Sequence, residues 1–418
     1  MALKTLTQSI IDKLSLPHDS SCNMNTAKQL IKTLNITPRY PIILVSGTNG
    51  KGSTCAYLTN ILTLAGYKVG TYTSPHVFQY HERICINNQP INDHTLGELL
   101  KKIAESSDYK LGIFKTFTLA AHLFFIQQKV DLAIIEVGIG GKNDITNLFE
   151  PTISAITGVD YDHCAILGNT LEEIGIEKAG IYRKNKWAFY GSKDMPKSIN
   201  TYVDSIGAKL QSLDKDFGVI RNDLSFDVWC NERKFYTLPY PALRGAEQVY
   251  NVALALSILA KLSLEFPISV GVIKLAILKT KLIGRFQIMP GSPQIIFDVA
   301  HNPQAVKSML HNMVKLPFAK NTIAVFGIAQ DKDVKKVIEL SKKSFNIWHI
   351  AKLSTSRGLN SDEIKKTMLQ YDITPEQIIE HDSIANAMQT ALNSVQHDER
   401  IVCFGSFLAV EEAYKKLI

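Results

Sequence analysis

A short apolar run that leads into a glycine-rich loop is the feature that most restricts the fold of this 418-residue chain. Residues 41–46 read Pro-Ile-Ile-Leu-Val-Ser, which is typical of a strand buried on both faces. Gly-Thr-Asn-Gly-Lys-Gly-Ser follows directly at 47–53, and a helix is predicted from about Gly52 to Ala65. A strand, a glycine loop and a helix in this order predict a parallel sheet with crossover helices.

The same alternation continues through most of the chain. Further strands are predicted at 68–73, 132–137 and 153–159, helices at 116–128, 171–182 and 248–262, and a hairpin within 217–238. After a Gly- and Pro-rich stretch at 282–293, strands at 294–299, 322–327, 346–353 and 400–405 alternate with helices. We predict an α/β protein with a P-loop-type nucleotide-binding domain and a mostly parallel sheet over 1–284, a linker over 285–293, and a smaller Rossmann-like α/β C-terminal domain over 294–418.

Composition argues against several classes of protein. The formal net charge of +7 is not gathered into basic blocks interleaved with aromatics, which favours small polyanionic ligands over nucleic acid. The six cysteines lack pairing or metal-ligand spacing, as is typical of free thiols in a reducing cytoplasm. No apolar run is long enough for a bilayer, and the N-terminus lacks signal-peptide features. We therefore expect a cytoplasmic protein with no membrane association and, since no heptad pattern stands out, a monomer.

The loop at 47–53 is predicted to bind the phosphates of ATP. Its glycines let backbone N–H groups turn toward phosphate, and the helix N-terminus adds positive potential. Lys51 is expected to bind the β- and γ-phosphate oxygens, and Ser53 to reach Mg²⁺. The strict P-loop pattern has Ser or Thr directly after the lysine, whereas Gly52 intervenes here. A plain glycine turn is the alternative, which the flanking strand and helix disfavour.

Three polar residues at predicted strand ends are candidate Mg²⁺ ligands. Glu136 lies at the end of the strand 132–137, Ser74 follows the strand 68–73, and His163 follows the strand 153–159. The carboxyl ends of parallel strands face the ligand crevice. Each residue also has a simpler explanation: a solvent-facing acid for Glu136, a Ser-Pro turn for Ser74 and a structural loop histidine for His163.

In the second predicted domain, Asp298 and His301 lie between a strand and a helix. An aspartate there can bind a ribose hydroxyl, and a histidine can pack on a base. The alternative is that the segment only starts the helix, with Asn302 as N-cap and Pro303 at the first helical position. Both interpretations are compatible.

Seven motifs, in chain order, resemble those of the folylpolyglutamate synthase/dihydrofolate synthase family, which belongs to the wider Mur ligase group. They are GTNGKGS, SPH, EVGIGG, DHCAILG, EKAGI, GRFQ and DVAHNP, and together they extend over nearly the whole chain. The resemblance implies an ATP-dependent ligase. It would convert a carboxylate of dihydropteroate or tetrahydrofolate to an acyl phosphate, which the amino group of L-glutamate then attacks to form an amide.

The resemblance also assigns roles to individual residues. It implies that ATP is bound by Gly50, Lys51, Gly52, Ser53, Asn251, Arg285 and Asp298. It places one Mg²⁺ on Ser74 and Glu136 and a second on His163, and it makes Lys51, Lys178 and His163 catalytic. Lys178 aligns with a lysine that is carbamylated in the family, although a surface helix lysine is the alternative. Because Arg285 and Asp298 lie beyond the first domain, closure of two domains over ATP is expected.

The sequence departs from the family where the resemblance places the pterin substrate. The aromatic-Phe-Glu stretch of the family reads Ile113-Phe114-Lys115 here, which reverses a charge. After Gly141, Lys142 and Asn143 replace family residues while Asp144 is kept, and Ile145 follows; residues 19–27 also differ. The expected substrate contacts are therefore Phe114, Lys115, Asn143, Asp144 and Ile145, and an arginine-to-lysine change at 142 loses bidentate geometry.

Other functions share some of these sequence features. A cell-wall Mur ligase carries a whole domain before the phosphate loop, whereas 46 residues precede Gly47 here. A non-catalytic nucleotide-binding regulator has no use for Glu136, His163 and Lys178. A ligase that uses a non-pterin carboxylate, or a folylpolyglutamate synthase without the dihydrofolate synthase activity, remains open because of the changes in the pterin region.

Overall fold

The structure is a computed structural model that describes residues 5–15, 24–108, 111–231 and 233–417. The chain divides into two compact units. Unit 1 comprises Met1–Val159, Leu167–Tyr240 and Val249–Thr280, and unit 2 comprises Asp160–Ile166, Pro241–Gln248 and Lys281–Ile418. The domain boundaries drawn from the sequence at 284 and 294 stay predictions. The short segment at 160–166 is assigned to unit 2 although the chain on both sides of it belongs to unit 1.

Unit 1 is built on an eight-stranded sheet with the order β4-β3-β2-β5-β1-β6-β7-β8. The strands β1 to β8 are Ile42–Ser46, Val69–Tyr72, Ile84–Ile86, Gln89–Pro90, Leu132–Glu136, Ile153–Ile156, Trp187–Tyr190 and Lys209–Ser212. The six strands from β2 to β8 in this order are parallel, and β3 and β4 extend the edge antiparallel. Every residue of β1 and β5 is buried, as expected for central parallel strands.

A second, antiparallel sheet in unit 1 has the order β11-β10-β9. Its strands β9, β10 and β11 are Phe217–Arg221, Ser225–Cys230 and Arg233–Pro239. The hairpin character predicted for 217–238 is confirmed, and the hairpin gains a third strand. Residues along β10 alternate between partly buried and buried, because one face of this sheet packs inward.

Ten helices, α1 to α10, precede the second large sheet in the described chain. They are Leu6–Leu14, Met24–Thr33, Lys51–Leu64, Asp93–Ser106, Ile113–Gln128, Cys164–Leu167, Leu171–Ala179, Lys197–Ile206, Gln248–Lys261 and Val270–Lys279. Helix α7 starts with a capping box in which Thr170 and Glu173 bond each other's backbone N–H groups. It ends at Ala179 rather than at residue 182 as predicted, and β6 ends at Ile156 rather than at 159.

Unit 2 contains a six-stranded sheet with the order β12-β13-β17-β14-β15-β16. The strands β12 to β17 are Gln287–Ile288, Gln294–Phe297, Thr322–Phe326, Ile347–Ala351, Ile378–His381 and Arg400–Phe404. The helices α11 to α15 are Pro303–Val314, Val334–Ser341, Ser361–Gln370, Ile384–Ser394 and Phe407–Tyr414. All strands of this sheet are parallel except β12, which pairs antiparallel with β13. Strand β12 lies inside the stretch that was predicted as a linker.

The predicted fold class is confirmed: a large, mostly parallel sheet with helices, and a second α/β sheet near the C-terminus. The core of unit 2 packs aromatic side chains such as Phe326, Trp348 and Phe404 against aliphatic ones. The described cysteines, Cys55, Cys85, Cys164, Cys230 and Cys403, are free thiols. Among the described helices, none combines the length and apolar character needed to cross a membrane.

Candidate active site

The phosphate loop lies between β1 and α3, as predicted. Gly50 is the N-cap of α3 and has a left-handed backbone with φ of 88°. Lys51 is the first helical residue, and its Nζ donates to the carbonyl oxygens of Gly47 at 2.8 Å and Thr48 at 3.3 Å. Ser53 is buried in the first turn of the helix. The ammonium group is thus held over the loop, beside the positive end of the α3 dipole.

The side chains of Thr157 and Asn251 pack against the loop at Gly47 and Gly50, where there is no space for a Cβ atom. Thr157 Oγ1 donates to the carbonyl oxygen of Asn49 at 2.5 Å and would lie in contact with any Cβ added to Gly47. A Cβ on Gly50 would lie 2.8 Å from Oδ1 of Asn251, a residue only 8% exposed. Asn251 was predicted as an ATP contact, and it lies against the phosphate loop. The loop is therefore a cradle whose shape depends on these two glycines.

Two of the three predicted metal ligands are in direct contact. The backbone N–H of Ser74 donates to Glu136 Oε2 at 3.0 Å. Glu136 is the last residue of β5 and pairs in register with Val45 of β1, two residues before the loop begins. It is 4% exposed, so it is not the solvent-facing acid that the sequence left open. An oxygen-rich pair beside a phosphate loop has the chemistry that Mg²⁺ prefers.

Asp144 holds the glycine loop that follows Glu136. Its Oδ2 accepts from the N–H groups of Gly138 at 3.1 Å and Ile139 at 3.2 Å, while Oδ1 accepts from the N–H and Oγ1 of Thr146 at 2.9 and 2.6 Å. Burial raises the pKa of the Asp144 carboxyl, and these hydrogen bonds oppose the shift. Both oxygens are engaged by the protein, which is the geometry of a positioning residue.

The other predicted substrate residues surround the same loop. The ring of Phe114 lies against Gly138, where an added Cβ would be 2.5 Å from Cζ. Asn143 donates from its N–H and Nδ2 to Glu177 Oε1 at 3.2 and 3.4 Å. Ile145 is buried, and Lys115 is partly buried in the first turn of α5. Of this set, Phe114 and Lys115 lie in one turn of helix beside the loop.

Lys178 lies in the last turn of α7 and is 4% exposed. It is therefore not a surface lysine, which was the alternative to a modified site. Its carbonyl oxygen would be 2.7 Å from a Cβ on Gly141, so the helix packs closely on the loop that follows Glu136. The backbone N–H of Lys142 donates to the carbonyl of Glu177 at 2.8 Å and fixes the same contact.

In unit 2, Asp162 is the centre of a buried ion cluster. Lys332 Nζ lies 2.7 Å from Asp162 Oδ1, and both side chains are less than 10% exposed, at 8% and 9%. Asn302 Nδ2 donates to Asp162 Oδ2 at 3.2 Å, and His301 Nε2 lies 3.6 Å from the same oxygen. Burial raises the pKa of Asp162, but the close approach of His301 and the charge of Lys332 outweigh this effect and hold the pKa well below its ordinary value.

His163 and His301 belong to this cluster. His163 Nε2 lies 4.0 Å from Asp162 Oδ1, and burial lowers its pKa to about 4, which leaves the ring neutral and able to bind a metal. His301 Nδ1 lies 2.7 Å from the carbonyl oxygen of Val299 and so carries the proton. The contacts of His163 are thus made within unit 2, whereas Ser74 and Glu136 belong to unit 1.

The remaining predicted ATP contacts, Arg285 and Asp298, lie together in unit 2. Asp298 accepts from the N–H groups of Phe286 at 3.0 Å and Ala300 at 2.8 Å. Burial raises its pKa to about 7, against the opposing charge of Arg285 and these two hydrogen bonds. The Arg285 guanidinium lies over the ring of Phe407, 5.0 Å from its centroid. Asn302 caps α11 and Pro303 begins it, so the helix-start interpretation is also correct.

Two residues of this site, Thr157 and Lys332, were not predicted from the sequence. Thr157 is the residue after β6 and has no motif of its own, so only its contact with Gly47 identifies it. Lys332 lies between two acids in Asp331-Lys332-Asp333, and such a lysine is usually an exposed one. Its burial against Asp162 is a tertiary contact between distant parts of the chain. The departure at 19–27 lies largely outside the described residues.

Comparison with known proteins identifies two domains in the chain. Residues 45–259 match the Mur ligase middle domain, and residues 284–407 match the glutamate ligase domain of Mur ligases. The fold and these two matches define the chain as a Mur ligase.

The chain belongs to the dihydrofolate synthase/folylpolyglutamate synthase family within that class. It is 35% identical to the family member of Buchnera aphidicola subsp. Schizaphis graminum, over 88% of this chain and 86% of the relative. It is also 35% identical to that of Escherichia coli K12, over 88% and 85%. A structure of E. coli FolC in complex with DHPP and ADP superposes with a TM-score of 0.91 at 30% identity, covering 100% of this chain and 98% of that one.

A structure of a bifunctional folylpolyglutamate synthase/dihydrofolate synthase with Mn, AMPPNP and L-glutamate bound has a TM-score of 0.90 to this chain. It is 30% identical and covers 100% of this chain and 99% of that one. The family that the seven motifs indicated is thereby confirmed.

Proposed function

We propose that this chain is an ATP-dependent ligase that adds L-glutamate to dihydropteroate and to tetrahydrofolate through an acyl phosphate. Its family consists of ligases that form carbon–nitrogen bonds, and this chain is one of them. The observation that carries the proposal is the position of the phosphate loop beside the Ser74–Glu136 pair, at the ends of the neighbouring strands β1, β5 and β2. A phosphoryl group held by the loop would be next to a metal-binding carboxylate.

Each residue has a physical role in this reaction. The loop amides and Lys51 would hold the β- and γ-phosphates, and Asn251 would orient the nucleotide against Gly50. Glu136 with Ser74, and separately His163, would hold divalent cations. When bound, ATP supplies the phosphoryl group and the cations neutralise the charge that develops on it. Asp144 keeps the adjacent glycine loop in place through its four hydrogen bonds.

Three finer points belong to the proposal. The cation is Mg²⁺ at two sites, by analogy with the Mn held by the related enzyme. Carbamylation of Lys178 is supported by its burial beside the glycine loop, since a carbamate would turn a buried cation into an anion that faces metal. The chain acts on small molecules as a monomer.

The direct test is phosphate release from ATP by the purified chain with Mg²⁺. Dihydropteroate and tetrahydrofolate are compared, each with and without L-glutamate, and the amide product is identified by mass. We expect release with either acid only when glutamate is present. Phosphate release with tetrahydrofolate but not with dihydropteroate would make the chain a monofunctional folylpolyglutamate synthase. No release with either acid would contradict the proposed substrates.

Lys51→Ala is the matched variant for this test. Loss of one contact to the transferring phosphoryl group should lower turnover by roughly a hundredfold or more. Lys366→Ala removes an exposed lysine from α13 and is the control, with turnover expected to be unchanged. A Lys51→Ala enzyme with normal turnover would show that the loop does not bind the reacting phosphate.

A further inference from the structure

Arg83 is a partly buried arginine, directly before β3, that lacks a carboxylate partner among the described residues. Its Nε donates to His76 Nδ1 at 2.9 Å, which is the one hydrogen bond its side chain makes in the described part of the chain. The two Nη groups therefore remain available. A partly buried cation without an anion is costly, which makes an anionic ligand the natural partner.

Aromatic rings fix the plane of this guanidinium. The Arg83 Cζ lies 5.4 Å from the ring centroid of Tyr80 and 5.5 Å from that of Phe117. The two rings also contact each other at 5.6 Å, and Tyr80 contacts the ring of His76 at 4.3 Å. Because the arginine N–H donates, His76 Nδ1 must be the acceptor, so the ring carries its proton on Nε2. The fork of Nη groups is thus held in one orientation before any ligand binds.

The neighbouring acid, Glu82, bonds the loop rather than Arg83. Glu82 accepts the backbone N–H groups of Val77 at 2.8 Å, Phe78 at 2.9 Å and Gln79 at 2.8 Å. These bonds use both carboxylate oxygens and hold residues 77–82 in a compact turn. Among the described residues, Glu82 therefore forms no ion pair with Arg83, and its hydrogen bonds define the geometry of the loop.

The position of Arg83 in unit 1 indicates which part of the site it lies near. The N–H of Thr73 donates to the carbonyl of Arg83 at 3.0 Å, so Arg83 lies across from the residue before Ser74. Counting from the phosphate loop on β1, the strands are β5, β2 and β3. Three strand spacings place Arg83 about 14 Å beyond that loop, on the far side of Glu136. It is out of reach of the transferring phosphate and on the side of Phe114, which was predicted to contact the pterin substrate.

We propose, on the basis of the proposed function, that Arg83 binds the non-reacting carboxylate of the glutamyl tail of tetrahydrofolate. The tail of that substrate carries two carboxylates, one of which is activated while the other remains free. Dihydropteroate has a single carboxylate, and it is the one that reacts. A planar, pre-oriented guanidinium binds a carboxylate through two parallel hydrogen bonds. Arg83 is thus a specificity residue for the chain-lengthening activity and not for dihydrofolate synthesis.

The test compares Arg83→Gln with wild type on both substrates. The KM for tetrahydrofolate should rise about tenfold or more, whereas the KM for dihydropteroate should stay within about twofold, because only the former loses a charge-assisted contact. Arg83→Lys keeps the charge without the fork and should give an intermediate KM. Arg233→Gln removes an arginine that lies over the ring of Phe235, 4.9 Å from its centroid on β11, and controls for loss of a cation–π contact alone.

Direct binding separates this inference from the proposed function. Calorimetric titration of wild type and Arg83→Gln with each acid, in the presence of a non-hydrolysable ATP analogue and Mg²⁺, does not depend on turnover. Weaker binding of tetrahydrofolate alone supports the inference. Equal weakening for both acids, or none, overturns it. If wild type binds neither acid, the proposed function itself fails. Arg83→Lys serves the same comparison if Arg83→Gln does not fold.

Discussion

Gly50→Ala should weaken ATP binding by more than a backbone cost alone explains. The φ of 88° at Gly50 costs an L residue about 1–2 kcal/mol. In addition, the new Cβ would lie 2.8 Å from Asn251 Oδ1, so either the loop or Asn251 must move. Asn251 is 8% exposed and cannot simply turn into solvent. The substitution therefore disturbs the phosphate loop and a predicted nucleotide contact together.

Gly66 offers a matched control beyond the opposite end of α3. Its φ is 96°, and no heavy atom lies within 4 Å of an added Cβ. Gly66→Ala thus carries the backbone cost of about 1–2 kcal/mol without a steric overlap. It should lower the unfolding temperature and leave the KM for ATP unchanged. For Gly50→Ala we expect that KM to rise at least about tenfold, which corresponds to about 1.4 kcal/mol of binding free energy.

The assay is phosphate release as a function of ATP concentration, together with thermal unfolding of the three proteins. Equal KM values for Gly50→Ala and Gly66→Ala would refute the reasoning, because the contact with Asn251 would then be without consequence. A Gly50→Ala protein that unfolds like wild type and binds ATP normally would show that the loop adjusts freely.

Two further predictions concern unit 2. Lys332→Met should destabilise the protein by about 3–5 kcal/mol, because Asp162 would be left buried without its partner. Lys336→Met, at an exposed ion pair with Glu339, should have a much smaller effect, and equal unfolding temperatures for the two variants would contradict this prediction. Burial and the adjacent His381 lower the pKa of His349 from 6.5 to about 4, so folding favours the neutral ring and stability should fall as pH drops from about 6.5 to 4. In a plot of unfolding temperature against pH, His349→Leu should reduce the slope between about pH 4 and 6.5. An unchanged slope would exclude His349 as the cause of the loss of stability.

Much of the fold could be predicted from local sequence. The central strands β1 and β5 are continuous apolar runs, and α3 follows its glycine loop, so position and type agree with the structure to within a residue or two. Strands without such runs were missed. Lys209–Ser212 on the sheet edge mixes polar residues with one leucine, and Gln287–Ile288 lies in a glycine- and proline-rich stretch. Their pairing comes from neighbours distant in sequence, which local patterns do not contain.

The parts of the candidate site that could be predicted are polar residues at the carboxyl ends of apolar strands. Ser74 and Glu136 were named separately, and the parallel pairing of β2 with β5 explains why they meet. Asp144 was predicted as a substrate contact, which stays a prediction; in the structure its hydrogen bonds are all to its own loop, which local patterns did not reveal. Lys332 could not have been found, since its burial depends on a contact 170 residues away.

The assignment of residues 160–166 to unit 2 has a consequence for dissecting the molecule. A fragment that begins at Lys281 would contain Lys332 but not Asp162, and Ser308 without Glu247, to which its hydroxyl donates at 2.8 Å. In such a fragment Lys332 would lose the carboxylate that neutralises it in the whole chain. No single cut in the sequence separates the two units, and their stabilities should be measured in the intact protein rather than in halves.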